Sequence, residues 1–212
     1  MKKICFFLLS LLFAQNASAF CDRIQTHVSI TTNPGTVKYI TTRSRHDFIH
    51  AAPHPVSPNT LGLTVAHMTV KGDATPNVEI EGDKMCVSLK TLNLKMENDE
   101  LTVYIDKKYK PSSCEDQVIK SHENHHVAIA KQAMIFFKPD IEKQIQKSLQ
   151  KLKPQMVQDK ASSERVLKEQ FNLVMNELKP LIDHINKTTA QKNYQIDTPE
   201  SYARTRALCQ NW

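Results

Sequence analysis

The stretch SCEDQVIKSHENHHVAIAKQAMIFFK, Ser113 to Lys138, decides how the rest of the chain is read. Ser113 can cap a helix, and Asp116 falls three positions later, close to a capping box. Ile119, His122, His126, Ile129, Ala133 and Phe137 then recur at steps of three and four, the period of one helical face. Pro139 is expected to break this helix or to open a second one that runs to about Lys153, with Pro154 as its end.

Beyond this point the pattern stays helical. A third helix is expected from about Ser162, where Leu167, Phe171, Val174, Leu178, Leu181 and Ile185 form an apolar stripe, with Pro180 a potential kink. Thr198-Pro199-Glu200 has the form of an N-cap followed by Pro at the first helical position, opening a short helix toward Cys209.

Before residue 113 short segments alternate as strands do. They are His27 to Thr32, Val37 to Thr42, Leu61 to Val70, Val78 to Ile80, Met85 to Leu94 and Leu101 to Ile105. Asn33-Pro34-Gly35, Gly72-Asp73, Glu81-Gly82-Asp83 and Asn98-Asp99 stand between them as breakers. Residues 43–59, with three prolines and three histidines, read as a long loop. The fold class expected is α+β: an N-terminal, mostly antiparallel sheet packed on the helix that begins near residue 113. A helical hairpin over about 139–190 and a short C-terminal helix follow. The hairpin should return residue 197 to the first helix.

The N-terminus is read separately. Met1-Lys2-Lys3 is a basic start, Ile4 to Ala14 an apolar run too short to span a bilayer, and Ala17-Ser18-Ala19 a small-x-small cleavage pattern. Residues 1–19 are therefore expected to be a secretory signal peptide, and 20–212 a single domain, strand-rich to residue 112 and helical from 113. Such a start points to a bacterial protein that is secreted or periplasmic. An uncleaved anchor is the alternative, and Phe20 before Cys21 disfavours a lipoprotein. Loss of Lys2 and Lys3 takes the formal charge from +6 to +4. With no basic block carrying interleaved aromatics, nucleic acid is a poor partner, and no stable membrane span is expected after cleavage. Four cysteines remain, Cys21, Cys86, Cys114 and Cys209, which suggests two disulfides in an oxidising compartment. Of three connectivities, the expectation is Cys86–Cys114, tying a strand to the helix start, and Cys21–Cys209, tying the chain ends. No CxxC pair supports a four-cysteine zinc site.

His122-Glu123-Asn124-His125-His126 contains His-Glu-x-x-His. Four residues apart on a helix, His122 and His126 share a face and can grip one Zn2+. Glu123, one step round, can reach water there as a general base without being a ligand. His125 points elsewhere. A catalytic site needs a third ligand. Gln132 and Ile129 exclude the extended His-Glu-x-x-His-x-x-Gly-x-x-His form. Glu164, Glu169, Glu177 and His184 lie on the third helix, but Asp197 ranks first because it precedes a turn. Glu200 is held in reserve, and Tyr202 is a candidate donor to an oxyanion. The strand Leu101 to Ile105 is a candidate edge for an extended substrate. His46, His50 and His54 suggest a loop over the site. The serines lack a nucleophile elbow, and the scarcity of glycine leaves no phosphate loop.

Tyr104-Ile105, Pro111-Ser112-Ser113-Cys114 and Ser121 to Val127, with the tail Ile196 to Tyr202 closing at Cys209, resemble a group of bacterial exported proteins of unknown function. These are classed as secreted zinc-dependent, zincin-like proteases. The resemblance covers residue 86 to the end. It implies a metallopeptidase acting on a peptide or protein, with His122 and His126 as ligands and Glu123 as base, and it leaves Asp197 open. The competing expectation is a non-catalytic exported module that binds metal or a partner of the cell envelope.

Overall fold

A computed structural model describes residues 21, 25–52, 59–210 and 212. The signal-peptide reading and the segment holding His54 lie outside these residues. The elements are β1 (His27–Asn33), β2 (Lys38–Ile40), α1 (Arg45–Phe48), β3 (Gly62–Glu81), β4 (Lys84–Ile105), α2 (Cys114–Lys151), β5 (Gln155–Val157), α3 (Lys160–Ile196) and α4 (Pro199–Ala207). The class is α+β.

The sheet is built around β4, a strand of 22 residues. β3 pairs with it antiparallel from Gly62↔Ile105 to Glu81↔Lys84, through a turn at Gly82-Asp83. Along the other side of β4 lie β5, antiparallel at Met85–Val87, then β1, parallel at Thr91–Glu97, then β2, parallel at Thr102–Tyr104. The sheet is thus mixed, a correction to the mostly antiparallel expectation. Asn33-Pro34-Gly35 does not reverse the chain. It carries β1 onward into β2 along the same edge of β4, so both run in β4's direction. Gly35 takes φ +76°, and a Cβ there would lie 3.0 Å from the Asn98 carbonyl oxygen; glycine alone adopts that turn without strain.

Four expected strands merge into two because two of the breakers sit inside a continuous ladder. Gly72 pairs with Leu94, and a Cβ on it would strike the Asn93 carbonyl. The Asp73 carboxylate accepts a hydrogen bond from Asn93 Nδ2 across the strands. The ladder skips Asp99 between His67↔Glu100 and Met68↔Asn98, which is a bulge in β4 and not an end. The loop expected over 43–59 contains α1, closed by a full capping box in which Ser44 and Asp47 each bond the other's backbone.

α2 is one helix of 38 residues with Pro139 inside it, and α3 has 37 with Pro180 inside. Pro139 neither breaks the helix nor opens a second one, a correction to the expectation for it. It is exposed, as is Pro180, so the carbonyl each leaves without a helical partner can turn to water. The opposite face carries Met134, Phe137, Ile141 and Ile145, packed with Val174, Leu178 and Ile185 of α3 and with Met68, Val70, Leu92, Leu94 and Met96 of the sheet. Continuous burial of that face outweighs the lost bond. The hairpin is therefore longer than the expected 139–190. A second cluster joins Ile119, Val127 and Ala130 of α2 to Leu101, Val103 and Ile105 of β4 and to Tyr202 of α4. Phe48 of α1 covers Leu63, Val65 and Tyr104.

Both expected disulfides are corrected: the bonds are Cys21–Cys86 and Cys114–Cys209. Cys86 lies at the first end of β4 and Cys114 follows its last, a strand length of roughly 60 Å apart at about 3.3 Å per residue. No disulfide spans that. β1 begins opposite Thr91 and runs parallel to β4, so its start faces the Cys86 end of that strand, while α4 returns Cys209 to the start of α2. Non-reducing peptide mapping should recover Cys21–Cys86 and Cys114–Cys209. The double variant Cys114→Ser/Cys209→Ser should lose about 2–5 kcal/mol in chemical denaturation. A Cys86–Cys114 peptide would contradict this register of β4.

Candidate metal centre

The third and fourth turns of α2 bring His122, Glu123 and His126 into the interior, 8%, 1% and 4% exposed. Their candidate ligand atoms lie within 4.8 Å of one another. Asn124 and His125, the two interposed residues, face out; Asn124 accepts a hydrogen bond from the Tyr39 hydroxyl at 2.6 Å. One turn of helix thus separates a buried face from a solvated one, as the spacing requires.

Asp197 meets this face from the other helix. It is the C-cap of α3, and its Oδ1 lies 3.0 Å from His122 Nε2 and 3.1 Å from His126 Nε2. Two imidazoles therefore converge on a single oxygen. On the far side of the His126 ring, Nδ1 lies 3.2 Å from Asn193 Oδ1. The Tyr202 ring lies 5.3 Å from that of His122, and its hydroxyl is 3.3 Å from Thr60 Oγ1. Tyr202 is 1% exposed, so it backs the site instead of facing solvent.

Glu123 is held by the sheet. Thr64 Oγ1 donates to its Oε2 at 2.8 Å and lies 3.2 Å from its backbone carbonyl. Gly62 leaves room for it: a Cβ at that position would stand 2.8 Å from Glu123 Oε1, 2.9 Å from its Cγ and 2.9 Å from the Tyr104 carbonyl oxygen. Burial pushes the Glu123 carboxyl above its usual range, against the lowering effect of His126, Thr64 and His122. Burial would also raise Asp197, but the contacts from His122 and His126, with the nearby Tyr202 hydroxyl, overcome it and hold the carboxyl low. For His126 burial works downward, and the bond to Asp197 together with the charges of Glu123 and Asp197 reverses it, so the ring is more basic than usual. Burial raises the Tyr202 hydroxyl, which stays protonated.

The donor set fits zinc. Nitrogen and oxygen ligands about 2.0–2.1 Å from a tetrahedral ion stand roughly 3.3 Å from one another, close to the separations at Asp197. Both nitrogens of His126 face an oxygen, and a neutral ring carries one proton, so both contacts are satisfied by a protonated ring or, equally, by a cation held at Nε2 with Nδ1–H donating to Asn193.

The other candidates are placed elsewhere. Glu200, the reserve ligand, is exposed in the first turn of α4, held low by its own backbone amide and the Thr198 side chain. Glu177 accepts from Ser148 and Lys151 across the hairpin. Glu164, Glu169 and His184 are exposed. His46 and His50 form an edge-on ring pair, centroids 5.4 Å apart, around the end of α1. Gly62, Thr64 and Asn193 escaped the sequence reading. Asn193 carried a signal: it precedes Asp197 by four, the same interval that separates the two histidines.

Gly62→Ala is expected to destabilise the protein by about 1–3 kcal/mol, since the new methyl meets backbone as well as Glu123. Chemical denaturation checks this, and stability equal to the parent protein would contradict the close approach. Comparison of the chain with protein-family models, with curated proteins and with solved structures finds no match.

Proposed function

We propose that the protein is an exported zinc-dependent metallopeptidase whose ligands are His122, His126 and Asp197 and whose general base is Glu123. The observation that carries this reading is the convergence of both Nε2 atoms on Asp197 Oδ1, at 3.0 and 3.1 Å, beside a buried carboxylate that has no cationic partner among the described residues other than those two histidines. Three protein ligands leave one position free on a four-coordinate ion, the pattern of a catalytic site and not of a closed structural one. The two disulfides accord with the oxidising compartment that export implies. Among the described residues no helix is long and apolar enough to cross a membrane.

When bound, zinc supplies Lewis acidity toward water and toward a peptide carbonyl. Glu123 takes a proton from the attacking water and delivers it to the leaving amine. Its raised pKa suits both transfers, because the conjugate acid is then closer to neutrality. Thr64 fixes the Oε2 atom and leaves Oε1 for this exchange. Tyr202, buried beside the His122 ring and near Asp197, serves these two from behind and not as a donor to an oxyanion.

The substrate strand is proposed to lie along β3. Leu101 to Ile105, the edge considered from sequence, is interior: β3 flanks it on one side and β2 on the other. β3 pairs with β4 alone among the described residues. Its outward positions follow from two marks. The amide of Asn186 occupies the Met68 edge, accepting from Met68 N at 3.1 Å and donating to Met68 O at 3.0 Å. Pro76, which has no N–H, lies in phase with it. By the two-residue alternation Gly62, Thr64 and Ala66 also turn their backbone groups outward, next to Glu123. An extended peptide can add there.

Purified protein should hold about one zinc per chain and hydrolyse an unfolded protein such as reduced casein. Glu123→Gln should keep the zinc and lose at least about a hundredfold in rate. Zinc retained with no hydrolysis by the parent protein would favour the non-catalytic binding module. Full activity in Glu123→Gln would overturn the assignment of the base.

A further inference from the structure

We infer that Asn193 is the positioning residue that fixes the tautomer and ring angle of His126 for zinc. The inference rests on the proposed zinc site and adds a residue to it. Asn193 and Asp197 lie four apart at the end of α3, so both side chains leave one face of that helix. They take the two nitrogens of one imidazole, Asp197 Oδ1 at Nε2 (3.1 Å) and Asn193 Oδ1 at Nδ1 (3.2 Å). The ring sits between them as in a clamp.

The two histidines differ in this respect. His122 reaches Asp197 through Nε2 and has no second hydrogen-bond partner among the described residues; it is steadied by the Tyr202 ring at 5.3 Å. His126 is 4% exposed, and among the described residues Asn193 is the one hydrogen-bond partner at its Nδ1. A histidine that binds through Nε2 keeps its proton on Nδ1, and that proton needs an acceptor once the ring is buried. The Asn193 carbonyl oxygen supplies it. In the opposite tautomer Nδ1 bears a lone pair facing an oxygen lone pair, and Nε2 bears a proton where the ion belongs. With zinc on Nε2 in place of the proton that faces Asp197, Asn193 is the acceptor that holds the remaining proton on Nδ1 and fixes the ring angle.

The test is zinc affinity, read by competition with a chromophoric chelator, in the full chain bearing its disulfides. Asn193→Leu removes the acceptor at similar volume and should weaken zinc binding by about 10–100-fold. Asn193→Asp can only accept, so it should bind within about threefold of the parent protein. A second readout is the Nδ1–H resonance of His126 in the zinc-loaded protein, which should exchange slowly in the parent and in Asn193→Asp and be lost to solvent exchange in Asn193→Leu. A residue that merely held the helix would affect thermal stability of the metal-free protein and leave that resonance alone. Asn193→Leu binding zinc as tightly as the parent, or Asn193→Asp weakened as much as Asn193→Leu, would overturn the inference while the zinc site stands. Absence of zinc binding by the parent protein would overturn both.

Discussion

The structure depends on the antiparallel pairing of two helices of 38 and 37 residues, which returns residue 197 to the level of residues 122 and 126. The pairing is kept in register along its length. Near the turn Glu177 meets Ser148 and Lys151, and at the far end Asn193 meets His126. Between these polar contacts lies the apolar seam of Met134, Phe137, Ile141, Ile145, Val174, Leu178 and Ile185. A half-buried carboxylate against two buried imidazoles, with the buried Glu123 beside them, is costly to assemble because each group gives up water. The seam supplies the stability that lets the polar cluster exist at one end of it.

The sheet contributes by rigidity and by close approach. β3 and β4 form one long ribbon, and the end of β3 carries two residues that serve Glu123. Thr64 binds the carboxylate and Gly62 makes space for it. Thr60, just before that strand, reaches the Tyr202 hydroxyl. The functions at residues 62 and 64 are thus delivered by the two-residue period of an extended chain, and Thr60 acts from the segment that leads into it. The same period would present the outward backbone of the strand to an extended peptide.

Much of this was legible in the amino-acid order. The helix at 114, the shared face of His122 and His126, the exposure of His125, the Thr198-Pro199 start of α4 and the return of residue 197 to the two histidines all follow from spacing, capping chemistry and the hairpin. What escaped was long-range. Pro139 and Pro180 read as breakers because propensity counts the lost hydrogen bond and not the tertiary face that continues past it. Gly72-Asp73 and Asn98-Asp99 read as turns because local composition does not report the partner strand that absorbs them. The disulfides were paired by proximity in sequence and chain end, although a strand as long as β4 separates its two ends by several nanometres. Thr64 has no motif of its own, and the four-residue step from Asn193 to Asp197 gains its meaning only from the ring the two face.

The account is tested most directly by X-ray absorption at the zinc edge of the loaded protein. Two imidazole nitrogens with only oxygen otherwise, at about 2.0–2.1 Å and with one oxygen lost on replacing Asp197 by Ala, is the result expected. A sulfur shell near about 2.3 Å, or a spectrum indifferent to residue 197, would contradict it.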